Sequence, residues 1–219
     1  MDFMRKAHRV LDGHKTPDIV TSAHAGVVSR ESMRIAFACA ALNGLDVCAA
    51  DIQNACLQAP SSQKDYVTCG PEFGLKNVGK IALMHQALYG GKAAGWDFRN
   101  HLQACMHHLG FESFPADPDV WMRPAIKNDG SECYECILLC ADDALAIGAN
   151  PEKLLGNKIG HFFESKESSI GPPKLCLGGH TCKVALENGV EAWAFGSSQC
   201  MQAAVKNVES CPAKRGQKL

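Results

Sequence analysis

The sequence predicts an α+β fold in which an antiparallel sheet packs on helices. Apolar runs separated by turn residues favour antiparallel hairpins, and the clearest pair of runs, 183–186 and 191–195, flanks the turn Glu187-Asn-Gly189. Other segments carry apolar residues at helical spacing and begin with capping residues. The 219 residues, 46% apolar and 21% charged, are typical of a globular chain with one large domain or two small ones.

Four segments are predicted to be helices, and two of them have clear starts. Ser29 is placed to cap a helix over 29–43, and a glycine follows its end. Pro151 stands at the first helical position of a segment that begins at 150. The other two predicted helices span 96–109 and 197–208. The residues expected on the buried face of the first helix are Met33, Phe37 and Ala40.

The run CILLCADDALAI at 136–147 predicts buried strands with Asp142 and Asp143 between them. Two adjacent carboxylates are costly to bury, and the cost falls if they occupy the tip of a tight hairpin and bind a divalent cation. Carboxylate oxygens are the ligands that Mg²⁺ and Mn²⁺ prefer. The alternative is an ordinary turn between two strands, with both side chains in water.

A second apolar run, 47–57, contains Asp51. If this run is a strand beside the hairpin, Asp51, Asp142 and Asp143 converge on one point. That is the arrangement a two-metal phosphoryl-transfer site requires. The alternative is that Asp51 caps a short helical turn that runs through Ala55. The sequence leaves both alternatives open.

Six short motifs follow one another along positions 5–209. They are RKA at 5–7, DIQNACL at 51–57, ALYG at 87–90 followed by Lys92, ADPDVWMR at 116–123, CADD at 140–143 and CLG at 176–178. In order and spacing these motifs resemble the reverse transcriptase of copia-type long-terminal-repeat retrotransposons. The resemblance covers nearly the whole chain. It implies a polymerase palm with partial fingers over 1–210, as a piece of a longer polyprotein, and the lysines and arginine near the C-terminus predict a basic tail over 211–219.

The resemblance also implies an activity and the residues that carry it. The activity is that of an RNA-directed DNA polymerase, with two Mg²⁺ or Mn²⁺ ions as cofactors and a template-primer and deoxynucleoside triphosphate as partners. The catalytic and metal-holding residues would be Asp51, Asp142 and Asp143. The substrate-binding residues would be Arg5, Lys6, Cys56, Lys92 and Cys140.

Several positions depart from the family pattern. Cys56 stands where the family has an aromatic residue that excludes ribonucleotides, and Cys140 and Cys176 stand where it has aromatic residues beside its later motifs. Ala93 stands where glutamine is common. These changes keep the metal ligands and damage the nucleotide pocket. The first alternative is therefore a catalytically dead remnant with at most weak nucleic-acid binding.

A cysteine-rich metal-binding module is the second alternative. The 12 cysteines include Cys133 and Cys136, with Cys140 close by. A structural zinc site usually takes four ligands in two close pairs, and the chain has no second Cys-x-x-Cys.

Charge and hydropathy limit the partners. The net charge is −1, whereas a nucleic-acid enzyme usually presents a basic face. No apolar run approaches the ~20 residues of a membrane span, and the first residues lack the apolar core of a signal peptide. The sequence therefore predicts an intracellular protein with no membrane partner.

Overall fold

The computed structural model describes residues 10–16, 18, 25–166, 168–187, 189–196 and 198–215. The two basic residues expected to hold a triphosphate, Arg5 and Lys6, lie outside the described residues. The described residues form a mixed α and β structure whose sheets are antiparallel, as the sequence predicts.

Four α-helices are present among the described residues. They are α1 (Arg30–Leu42), α2 (Ala94–His108), α3 (Pro151–Lys153) and α4 (Ser198–Arg215). A π-helical segment, Leu154–Ile159, continues α3. The four predicted helices are thus confirmed, with bounds that differ by a few residues or more. Helix α4 runs on to Arg215, so it includes part of the segment 211–219 that the sequence predicts to be a tail.

Helix α1 begins where its capping residue predicts. The Ser29 hydroxyl accepts a hydrogen bond from the backbone N–H of Ser32, which satisfies one of the free donors of the first turn. The backbone N–H of Ser29 in turn donates to Asp117 at 2.9 Å, and so does the Ser32 hydroxyl at 2.6 Å. Burial works to raise the pKa of Asp117, but these hydrogen bonds outweigh it and lower that pKa. The helix start is thereby fixed to the sheet.

Ten strands are present among the described residues. They are β1 (Asp46–Asp51), β2 (Tyr66–Thr68), β3 (Ile81–Leu83), β4 (Glu112–Phe114), β5 (Asp117–Ile126), β6 (Glu132–Cys140), β7 (Asp143–Gly148), β8 (Leu175–Cys176), β9 (Gly179–Ala185) and β10 (Glu191–Gly196). They form three sheets: the main sheet has the order β1-β7-β6-β5-β4, and two smaller sheets have the orders β10-β9-β8 and β2-β3. The hairpin predicted around 187–189 is confirmed as β9 paired with β10.

The main sheet separates two apolar clusters, because successive residues of a strand point to opposite faces. Ile137 and Leu139 of β6 belong to the cluster that contains α2 and the segment after α3. Leu138, between them, belongs to the cluster that contains α1, and β10 packs against that cluster. Both faces of the sheet are therefore covered, which explains the unbroken apolar runs in the sequence.

Strand β1 lies at the edge of the main sheet, and the segments 164–166 and 168–171 cover its free side. The backbone N–H of Ala49 donates to the carbonyl of Gly171 at 2.8 Å, and the reverse bond measures 3.1 Å. Farther along, the backbone N–H of Lys166 donates to the carbonyl of Asp51 at 2.9 Å. An exposed strand edge invites pairing with other chains, and these segments satisfy the edge instead. The first of them also brings Lys166 beside the end of β1.

The centre of β6 provides a test of the two-sided core. Leu138 is 0% exposed, so Leu138→Ala should lower the free energy of unfolding by about 2–5 kcal/mol through lost burial and the cavity left behind. Ile126, on the neighbouring strand, is 72% exposed, and Ile126→Ala should change stability by only about 0.5 kcal/mol. Urea unfolding followed by circular dichroism measures both. Equal losses in the two variants would contradict the described sheet.

Candidate active site at the ends of strands β1, β6 and β7

The carboxylates singled out in the sequence lie at one end of the main sheet. Strand β1 pairs with β7 so that Asp51 is opposite Asp143, and β6 pairs with β7 so that Cys140 is opposite the same residue. Ala141 and Asp142 thus form a two-residue hairpin turn. Ala141 has φ 59°, the left-handed backbone that tight hairpins require. The predicted strand beside a hairpin is therefore present.

The structure contradicts the alternative considered for Asp51 and supports the alternative considered for Asp142 and Asp143 only in part. Asp51 is the last residue of β1, and Asn54 occupies the N-cap position of the short 3₁₀ turn Ala55–Gln58, so the capping role considered for Asp51 is wrong. Asp142 is exposed, as an ordinary turn residue would be, whereas Asp143 is partly buried. The simple picture of two aspartates in water therefore holds for only one of them.

The three carboxylates are divided between two cavities. Asp51 and Asp143 line a cavity of about 400 Å³ together with the loop 168–174. Asp142 lines a second cavity, of about 210 Å³, together with Cys56. In the described part of the chain, no group of three or more His, Cys, Asp or Glu side chains is arranged to hold a metal ion. The strand ends that hold the three carboxylates therefore lie together, but only Asp51 and Asp143 share a cavity.

Lys166 is the cation of this site. Its ammonium group contacts Asp51 Oδ2 in an ion pair, and its side chain is 47% exposed. The hydrogen bond to Asp51 is the main cause that raises the pKa of Lys166, and the charges of Asp142 and Asp143 add to it. Because the backbone of Lys166 also bonds β1, the edge-covering segment positions this charge.

The electrostatic cost of this arrangement is visible in the pKa of Asp143. Burial, followed by the charges of Asp142 and Asp51, raises its pKa from 3.8 to about 6, and Lys166 opposes the shift. Asp51 Oδ1 is buried and has no hydrogen-bond partner among the described residues. An unpartnered carboxylate oxygen beside a carboxyl group of raised pKa is the electrostatic setting that a hard divalent cation relieves. In donor type and charge, the residues present therefore fit Mg²⁺ or Mn²⁺.

The smaller cavity is mostly apolar, with one buried ion pair at its wall. Cys56 and Tyr89 line it, and burial, aided by the charge of Asp142, raises the pKa of the Cys56 thiol. Arg99 donates to Asp119 at 2.8 Å and 3.0 Å, and Asp119 is only 3% exposed. Cys56 and Asp142 thus line the same cavity.

Two other expected substrate-binding residues line neither of these cavities. The Cys140 side chain turns away from the smaller cavity into the cluster around α1, and its Sγ lies 3.6 Å from Cys176 Sγ. Lys92 donates to the carbonyl of Thr16 at 2.8 Å and pairs with Asp18 at 3.0 Å. These contacts direct Lys92 toward the segment before α1.

The cysteine pair considered for zinc is divided by the same alternation. Cys133 and Cys136 are three positions apart on β6, so their side chains point to opposite faces of the sheet. Two ligands on opposite faces do not bind one ion. Within the described residues, the structure gives the zinc alternative no support.

Sequence reasoning missed three residues of the site. Lys166 lies 115 positions from its partner Asp51, so no local pattern marks it. Arg99 sits on α2 at helical spacing from buried residues, and only β5 shows what it pairs with. Tyr89 lies inside the ALYG motif at 87–90, which was the one available signal.

Comparisons with known proteins identify no relative. No protein-family model, no curated protein and no solved structure matches the chain. Among the described residues, no helix has the length and apolar content needed to cross a membrane.

The pKa of Asp143 is a direct test of the site. In metal-free buffer its carboxyl group should titrate near pH 6, as measured by carboxyl ¹³C NMR. Asp142→Asn should lower that pKa by removing a neighbouring charge, and Lys166→Met should raise it. Because folding raises this pKa, the folded state binds more protons between pH 3.8 and about 6. The free energy of unfolding should therefore fall as pH rises through that window.

Glu112→Gln is the matched control for this titration. Glu112 is exposed on β4, at the opposite edge of the main sheet from β1. Its replacement should leave the Asp143 midpoint unchanged. A midpoint near the ordinary aspartate value that none of the variants moves would contradict the described cluster.

Proposed function

We propose that the chain is a reverse-transcriptase-like nucleotidyl-transfer domain that adds deoxynucleotides to a primer on an RNA template. The observation that carries the proposal is the register of β1, which puts Asp51 opposite Asp143 next to the hairpin turn that holds Asp142. The motif order along the sequence independently suggests the same chemistry. A palm-like role for the main sheet belongs to this proposal.

The resemblance assigns two divalent cations, Mg²⁺ or Mn²⁺, to the three aspartates. The geometry supports Asp51 and Asp143 as the residues that would hold an ion together, since Asp142 lines the neighbouring cavity. Bound there, the ions would supply charge neutralisation for the transferring phosphoryl group and activation of the attacking hydroxyl. Asp51 and Asp143 contribute carboxylates on adjacent strands, and Asp142 contributes one from the turn. Rigid strand ends fix the positions of these residues before any substrate arrives, which favours catalysis by positioning.

The 210 Å³ cavity next to Asp142 would receive the nucleotide. Cys56, Tyr89 and Phe98 give it an apolar lining, and the Arg99–Asp119 ion pair stiffens one wall. Cys56 offers less bulk against a ribose hydroxyl than the aromatic residue of the family. The cavity would therefore discriminate only weakly between ribonucleotides and deoxynucleotides.

A second candidate is a catalytically dead domain that binds nucleic acid weakly. The specific observation that favours it is the ion pair between Lys166 and Asp51 Oδ2, which puts a protein cation on a carboxylate that the enzyme needs for its ions. The net charge of −1 is consistent with weak binding.

Primer extension tests the first candidate. The protein should extend a DNA primer on an RNA template with Mg²⁺ or Mn²⁺. Asp142→Asn and Asp143→Asn should each reduce the rate about a hundredfold or more, equivalent to about 2.7 kcal/mol of barrier. Asp129→Asn is the control, because Asp129 is an exposed turn residue of the β5–β6 hairpin, at the other end of β6. Extension that survives both site variants would refute the proposed site.

Template-primer affinity tests the second candidate. Folded protein that does not extend a primer should still show binding by fluorescence anisotropy, with an affinity that falls as salt rises. Each phosphate contact contributes about −0.9 to the slope of log K against log salt. Asp142→Asn should leave this slope unchanged, since the binding does not involve the carboxylates. Absence of binding at low salt would contradict the second candidate, a domain that binds nucleic acid weakly.

A further inference from the structure

Two cysteines face each other behind the candidate active site. Cys140 is the last residue of β6 and Cys176 is the last residue of β8, so the two cysteines belong to two different sheets. Their Sγ atoms lie 3.6 Å apart, and the residues are 4% and 5% exposed. Both are free thiols. A disulfide bond needs about 2.05 Å between the sulfurs, so a movement of about 1.5 Å would close the gap.

The two thiols differ in access. Cys176 lines the 400 Å³ cavity that also holds Asp51 and Asp143, whereas Cys140 lies behind it and lines no part of that cavity. A small molecule in the cavity therefore meets Cys176 first. Lys174, Asp51 and Asp143 line the same cavity, so its wall carries charges of both signs.

We propose that Cys140 and Cys176 form an oxidisable thiol pair, a modification site whose co-reactant is a small disulfide such as oxidised glutathione. Cys176, as its thiolate, attacks one sulfur of the reagent, forms a mixed disulfide and expels the first reagent thiolate. Cys140 then loses its proton, attacks Cys176 Sγ and expels the second. Two protein thiols are oxidised, one disulfide is reduced to two thiols, and those thiols take up the protons released.

The bond would act on the site through the sheet. Cys140 is paired with Asp143 in the β6–β7 ladder, so a link to Cys176 ties the carboxylate-bearing hairpin to β8. The loop 168–174, which leads into β8, forms much of the cavity wall beside Asp51. The thiol pair does not depend on the proposed nucleotidyl transfer, because its test is covalent chemistry.

The experiment is a titration of the unmodified protein with mixtures of oxidised and reduced glutathione. Samples are quenched by alkylation, digested with trypsin and mapped by mass spectrometry. We expect a link between the peptide Asn128–Lys153, which holds Cys140, and the peptide Leu175–Lys183, which holds Cys176. Its appearance should coincide with the loss of alkylated Cys140 and alkylated Cys176 from these peptides, and reductant should reverse it.

Matched variants identify the linked sulfurs, since each of these peptides contains other cysteines. Cys176→Ser should abolish the link and Cys182→Ser should keep it, although both residues lie on the same peptide. Likewise Cys140→Ser should abolish it and Cys136→Ser should keep it. In Cys140→Ser, Cys176 should stop at the mixed disulfide with glutathione.

Two outcomes would overturn the proposal. One is a Cys140 and Cys176 pair that remains fully alkylatable in the unmodified folded protein when oxidised glutathione is in large excess. The other is a link that persists in Cys176→Ser or disappears in Cys182→Ser. Because the unmodified protein supplies the primary result, a variant that fails to fold does not block the test.

Discussion

The register of β1 against β7 is the constraint on which the rest of the site depends. It makes Asp51 the cross-strand partner of Asp143, beside the hairpin turn that holds Asp142. A slip of one residue would turn Asp51 to the other face and bury Val47 and its neighbours on the wrong side. The apolar clusters on both faces of the sheet oppose that slip, so core packing holds the carboxylates in place.

Charge and burial conflict at this end of the sheet. Three carboxylates lie around one lysine, the pKa of Asp143 rises to about 6, and Asp51 Oδ1 is buried without a partner among the described residues. A fold selected for stability alone would not retain this cost, whereas functional sites often do. The Lys166–Asp51 ion pair offsets part of it. The same contact competes with a cation for Asp51, which connects both candidate functions to one side chain.

The departures from the motif pattern form two groups in space. Cys56 lies in the cavity beside Asp142. Cys140 and Cys176, remote in sequence, meet behind the site with their sulfurs 3.6 Å apart. Two replacements that look unrelated along the chain therefore share one location, which gives them a chemistry that neither would have alone.

The sequence by itself determined the fold class, the capped helix at Ser29, the hairpin around Asp142 and a strand-like run over 47–57 that contains Asp51, whereas the structure ends that strand at Asp51. Local rules suffice for these, because caps, turns and strand alternation act over a few residues. Only the tertiary structure decided that Asp51 faces Asp143, that Lys166 completes the cluster and that Cys140 turns away toward Cys176. Those contacts join distant segments, and the packing of both sheet faces selects them, which no local pattern records.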